Sequence, residues 1–120
     1  MSDPAGDTKP PSGRTVDVRP LLAGLRRGGD PWREVLRVPE LSAGLYRLAA
    51  GATDPQAPHT EDEIYYVLAG RARLEIEGLS HAAEPGILLY VPARARHRFV
   101  DIREDLELLV LFAPAEGSRG

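Results

Sequence analysis

The sequence predicts an all-β sandwich or barrel with one short N-terminal helix. Two observations carry that prediction. Most apolar residues alternate with polar ones in short runs, the period of a strand rather than a helix. Glycine and proline, 12 and 11 of 120 residues, break those runs at short intervals, as turns do in β-sandwiches and barrels.

The elements follow in order. Met1 to Thr15, with Pro4, Pro10, Pro11, Gly6 and Gly13, has no apolar periodicity and reads as a disordered tail. Ala115 to Gly120 reads the same way, which leaves residues 16–114 as a single domain of adequate size for one core. From Asp17 to Arg27, Leu21, Leu22 and Leu25 share a helical face, Asp17 can cap, and Gly28-Gly29 ends the helix. Trp32 to Val38 alternates weakly, Pro39-Glu40 turns the chain, and Leu41 to Ala50 forms a second strand. Gly51 to Pro58 is a loop rich in breakers.

Glu61 to Ala69 is a strand with Ile64, Tyr66 and Leu68 on one face and Glu63, Tyr65 and Val67 on the other. Gly70 is expected to make a tight connection to a separate strand, Arg71 to Glu77, whose Arg73, Glu75 and Glu77 mark a wet face. Gly78 and Glu84-Pro85-Gly86 are turns. Ile87 to Val91 is apolar on both faces and is expected in the centre of a sheet, with Pro92 ending it. Arg96 to Ile102 and Leu106 to Phe112 are the last strands, separated at Glu104-Asp105. Leu74, Ile76, Leu89, Val91, Leu108 and Val110 are the expected core.

Composition narrows the function. Without cysteine there is neither a disulfide framework nor thiolate metal ligation. No apolar run is long enough to span a bilayer, and the N-terminus lacks a basic-then-apolar signal, so a soluble cytoplasmic protein is expected. The net charge of −3 gives nucleic acid no general attraction. Arg94, Arg96 and Arg98 read as a solvated or paired surface, with an anion-attracting rim near the site as the alternative, and Arg47 as solvent-facing, with pairing to an anionic substrate as the alternative. No nicotinamide, flavin or phosphate-loop fingerprint occurs.

The chemistry concentrates around two of the three histidines. His59, Glu61 and Glu63 are two apart, so an extended chain points all three to one face. His97 shares a later strand face with Phe99 and Asp101, and barrel closure can bring the two faces together. Two imidazoles and a carboxylate, from His59, His97 and Glu63, suit a divalent transition metal such as iron, manganese, nickel, zinc or copper, with positions left open. His81, between the two segments, reads as a surface or cross-strand residue.

The frames around these residues are specific. Gly51 is followed by five residues, then Ala57-Pro58-His59, three residues, Glu63, six residues and Gly70. Five residues separate Gly86 from Pro92, and Arg94, His97 and Asp101 follow. This pair of gapped patterns resembles the two motifs of the cupin superfamily, from the second strand to about Pro114. The resemblance implies a jelly-roll barrel, the double-stranded β-helix. Ala57 stands where the first motif carries a histidine, Arg94 where the second carries glycine, and Asp101 where it carries asparagine. The remaining set, His59, Glu63 and His97, is similar to the facial triad of some cupin-type oxygenases and epoxidases, with Gln56 or Glu61 as candidate fourth groups. Tyr65, on the face of Glu63, is the candidate catalytic hydrogen-bond donor. The resemblance further implies a metal-dependent dioxygenase, isomerase or lyase acting on a small organic molecule, or a non-catalytic small-molecule-binding or sensory module. It also implies a homodimer; the strands around Arg33–Val38 and Leu41–Leu48 carry apolar residues on both faces and offer an edge for a second copy.

Overall fold

The computed structural model describes residues 12–56 and 58–119. Most of the expected N-terminal tail, and Ala57, lie outside them; residues 12–15 are exposed and without regular structure. Helix α1 (Arg19–Arg26) has proline in its first turn and packs Leu22 inward. Asp17 Oδ1 accepts the Arg19 N–H at 3.1 Å and the Arg19 guanidinium at 2.9 Å. At the other end, the Arg26 guanidinium donates to both carboxylate oxygens of Glu107, at 2.7 and 2.8 Å, and ties the helix to the sheet.

Six strands follow: β1 (Trp32–Val38), β2 (Leu41–Leu48), β3 (Asp62–Ile76), β4 (Leu79–Ala83), β5 (Leu88–Val91) and β6 (His97–Ala113). All pairings are antiparallel. The long strands β3 and β6 pair along their whole length, and each contributes to two layers. The first half of β3 lies between the second half of β6 and β5, while β1 and β2 extend that layer beyond β6. The second half of β3 lies between the first half of β6 and β4. One continuous apolar core joins both halves, with Leu74, Leu106 and Leu108 fully buried and Phe99 and Val110 nearly so. This antiparallel fold is of the jelly-roll type.

Four expectations are corrected. Gly70 does not separate two strands: β3 runs through it, with register shifts on either side. Its φ of 95° and its approach to β6, where a Cβ would collide with the Asp105 carbonyl, make it a bulge glycine that bends a continuous strand. Glu104-Asp105 likewise sits within β6 rather than between two strands. The β5 strand is not central, because it pairs with β3 alone; Leu89 and Val91 face the core while Leu88 and Tyr90 are 60% and 54% exposed. Ile76 is only partly buried, near the end of β3.

The chain past Pro114 also differs from a free tail. Ala115 is buried, its N–H donates to the Pro39 carbonyl at 3.2 Å, and the Glu116 N–H donates to Ser42 Oγ at 2.9 Å. A small apolar side chain and two backbone bonds fasten this segment over β2, which composition does not register.

Candidate metal centre

Strand alternation turns Glu63, Tyr65 and Val67 to the buried side of β3, and Glu61, just before the strand, is buried as well. That face is carboxylate-bearing yet inward, so its polar groups must find partners. His97, at the start of β6, is buried too. His59 arrives from the loop before β3, and the Arg94 N–H holds its carbonyl at 2.6 Å. Arg94 occupies a left-handed φ of 68°, the conformation for which glycine is the ordinary choice.

One donor atom each from His59, Glu63 and His97 lie within 4.8 Å of one another. Glu63 Oε1 and His97 Nε2 are 3.0 Å apart, both buried, yet neither has a hydrogen-bond partner. The ring N–H direction does not meet the oxygen, so closeness here is not a hydrogen bond. Two donors bound at right angles to a cation at about 2.1 Å stand about 3.0 Å apart, so this orphaned pair fits a divalent metal. The His97 Nδ1 lies 2.9 Å from the Ala95 carbonyl. Donation there fixes the tautomer that leaves a lone pair on Nε2, the usual support for a ligating histidine. Burial opposes the charged imidazolium of His97, but Glu63, the Ala95 carbonyl and Asp54 outweigh it and raise the pKa above 6.5.

Against His59 and Glu63 lies a cavity of about 300 Å³, lined also by Trp32, Tyr46, Gln56, Tyr65, Phe112 and Glu116, while His97 lines a separate cavity with Gln56 and Pro58. The Tyr65 ring packs edge-on to Phe99 at 4.9 Å, and its hydroxyl accepts the Gln56 amide at 2.6 Å. Burial, then the Glu63 charge, pushes the Tyr65 pKa well up, so it stays a neutral phenol. Gln56 therefore lines the cavity but spends its amide N–H on Tyr65 and Asp54. Glu61 turns away from the trio: Thr60 Oγ1 donates to it at 2.6 Å, and the backbone of Gly117 and Arg119 holds it.

Two site residues escaped the sequence reading. Asp54 is buried and anchors the loop three ways, accepting Tyr46 Oη at 2.7 Å, the Phe99 N–H at 2.8 Å and the Gln56 amide at 3.1 Å. An aspartate before proline signals only a turn. Glu116 lies in the supposed tail, with Oε2 3.8 Å from His59 Nδ1. Other expectations resolve at the surface. Asp101 is exposed, with φ of 51°, and pairs with Arg103 instead of facing inward with His97. Arg96 and Arg98 pair with Glu77 and Glu75, and His81 is an exposed β4 residue opposite Leu74. Arg47 is not solvent-facing: it lies against Asp105 at 2.9 Å and Glu107 at 3.4 Å.

The jelly roll with a histidine–carboxylate cluster inside it defines the class, and comparison of sequences gives the family. The cupin-domain family model matches residues 44–112, over half of the chain, and the chain belongs to the cupin family. An uncharacterized protein of Streptomyces coelicolor is 45% identical over 83 residues, covering 69% of this chain and 79% of that protein. KdgF from Halomonas sp. superposes with a TM-score of 0.66 at 27% identity, covering 74% of this chain and 82% of the other. The DMSP lyase DddQ from Ruegeria pomeroyi superposes with a TM-score of 0.60 at 28% identity, covering 63% of this chain and 39% of that one.

Proposed function

We propose that this cupin is a metal-dependent lyase or isomerase acting on a small organic molecule, with one divalent transition metal held by His59, Glu63 and His97. The observation that carries it is the orphaned Glu63 Oε1–His97 Nε2 pair, set where Glu63 and His59 line a ligand-sized cavity. The likeness to a lyase supports that reaction class over an oxygenase. When bound, such a metal supplies Lewis acidity to a substrate oxygen. His97 and Glu63 supply fixed lone pairs, the first oriented by the Ala95 carbonyl. Tyr65, as a neutral phenol beside Glu63, offers its O–H to substrate while Gln56 steadies the oxygen. Trp32 and Phe112 exclude water from the apolar side of the cavity. No helix among the described residues is long and apolar enough to cross a membrane. We further propose that the protein is a cytoplasmic homodimer. The β1 strand pairs only with β2, leaving an edge for a second copy. Light scattering across a concentration series tests that assembly.

Lyase and isomerase reactions of this kind break a carbon–hydrogen bond. Protein reconstituted with iron(II), manganese, nickel or zinc is incubated in D2O with small hydroxy acids, ketones and β-substituted carboxylates. Metal-dependent deuterium incorporation or product formation by proton NMR supports the reading. A metal-loaded protein that turns over nothing would leave a binding module.

A further inference from the structure

The cavity beside the trio is walled by aromatic rings set nearly at right angles. Trp32 meets Tyr46 at 6.4 Å and 65°, and Phe112 at 6.2 Å and 73°. Trp32 is fixed because its six-membered ring covers Gly44, where any Cβ would strike it. Trp32, Tyr46, Tyr65 and Phe112 all line this cavity, and aromatic side chains are the groups that attract organic cations. The charges agree. Among the described residues, Glu63 and Glu116 line this cavity, and no lysine or arginine does. Glu116 Oε2 stands 3.8 Å from His59 Nδ1, and a cation in the cavity would be drawn to its carboxylate. The one polar group buried without a partner on this lining, Glu63 Oε1, marks the far end, where Phe112 packs on His59 at 4.9 Å.

We propose that the ligand of this cavity is a compact organic cation, of the quaternary ammonium class, held between the Trp32–Tyr46 corner and Glu116. A polar end of the same molecule extends toward His59, Glu63 and His97, and for that end alone the inference rests on the metal-centre reading. Adding a cation to a rim of rings and carboxylate exploits both the quadrupole of Trp32 and the Glu116 charge.

Trp32 is the only tryptophan in the chain, so its fluorescence reports on the cavity directly. Choline and its uncharged isostere, 3,3-dimethyl-1-butanol, are titrated into wild type with and without zinc, and into Glu116→Gln. The expected result is that choline alters Trp32 emission and binds about threefold to tenfold more tightly than the isostere. In Glu116→Gln that preference falls toward unity, with calorimetry confirming the affinities. Equal binding of the two, an unchanged preference in Glu116→Gln, or no choline binding below about 100 mM would overturn the proposal. Zinc stoichiometry, measured on the same wild-type samples, separates this failure from failure of the metal centre. Choline preference in protein that takes up no zinc would sustain the cage alone.

Discussion

Glu63 Oε1 and His97 Nε2 approach to 3.0 Å in the interior without forming a hydrogen bond. They come from strands that do not meet at that point in the register, since Glu63 pairs with Phe112 and His97 with Ile76. The two halves of the folded-over β3–β6 pair bring them face to face. Closing the jelly roll thus assembles the site, and a buried carboxylate oxygen without a hydrogen-bond partner costs stability that a cation recovers.

The strand folds over at Gly70. Its φ of 95° and its contact with the Asp105 carbonyl leave no room for a methyl group. Gly70→Ala is expected to destabilise the protein by more than about 2 kcal/mol, read as a lower denaturant midpoint. An unchanged midpoint would show that the bulge tolerates a side chain.

The sequence showed which faces point inward wherever alternation was unbroken. Glu63, Tyr65 and Val67 are on the buried face of β3, and Leu74, Leu89, Val91, Leu108 and Val110 are all core. It failed where one backbone event changes the count. Gly70 reads equally well as a turn or a bulge, and the difference lies in Asp105, 35 positions away. For β5, side-chain type could not tell a covered outer face from a bare one, because Leu88 and Tyr90 are apolar either way. Three of the proposed site residues were legible because metal chemistry restricts the residue types at His59, Glu63 and His97. Asp54 and Glu116 were not, since their roles depend on loop and tail contacts with β2 and β6.

Arg94 carries the left-handed φ of 68° while its N–H holds His59. Arg94→Gly is expected to match wild type or gain up to about 1 kcal/mol, whereas Arg94→Val loses more than about 1 kcal/mol, because branching at Cβ raises the cost of that conformation. Thermal unfolding of the pair checks this. A valine variant as stable as glycine would refute the strain.

Glu107 anchors α1. Hydrogen bonds from Arg26, opposed by burial, then aided by the Arg26 and Arg47 charges, hold its pKa below the usual 4.5. A depressed carboxylate pKa stabilises the fold above the unfolded value, and that stability is lost as pH falls through the folded pKa. Glu107→Gln should therefore cost roughly 1–2 kcal/mol at pH 7, moderated by the half-exposed Arg26. The difference from wild type should shrink below pH 4.5 in chemical denaturation. A gap that persists in acid would mean the ion pair is not its source.

Metal stoichiometry by elemental analysis tests the central claim most directly. Wild type, Glu63→Gln, His97→Ala and His81→Ala are each reconstituted with iron(II), manganese, nickel or zinc and freed of excess by gel filtration. The account predicts about one ion per chain in wild type and in His81→Ala. Affinity should fall at least about tenfold in Glu63→Gln and His97→Ala, which lose one donor each, while circular dichroism shows both still folded. Wild type empty of every metal, or His81→Ala losing metal as His97→Ala does, would contradict it.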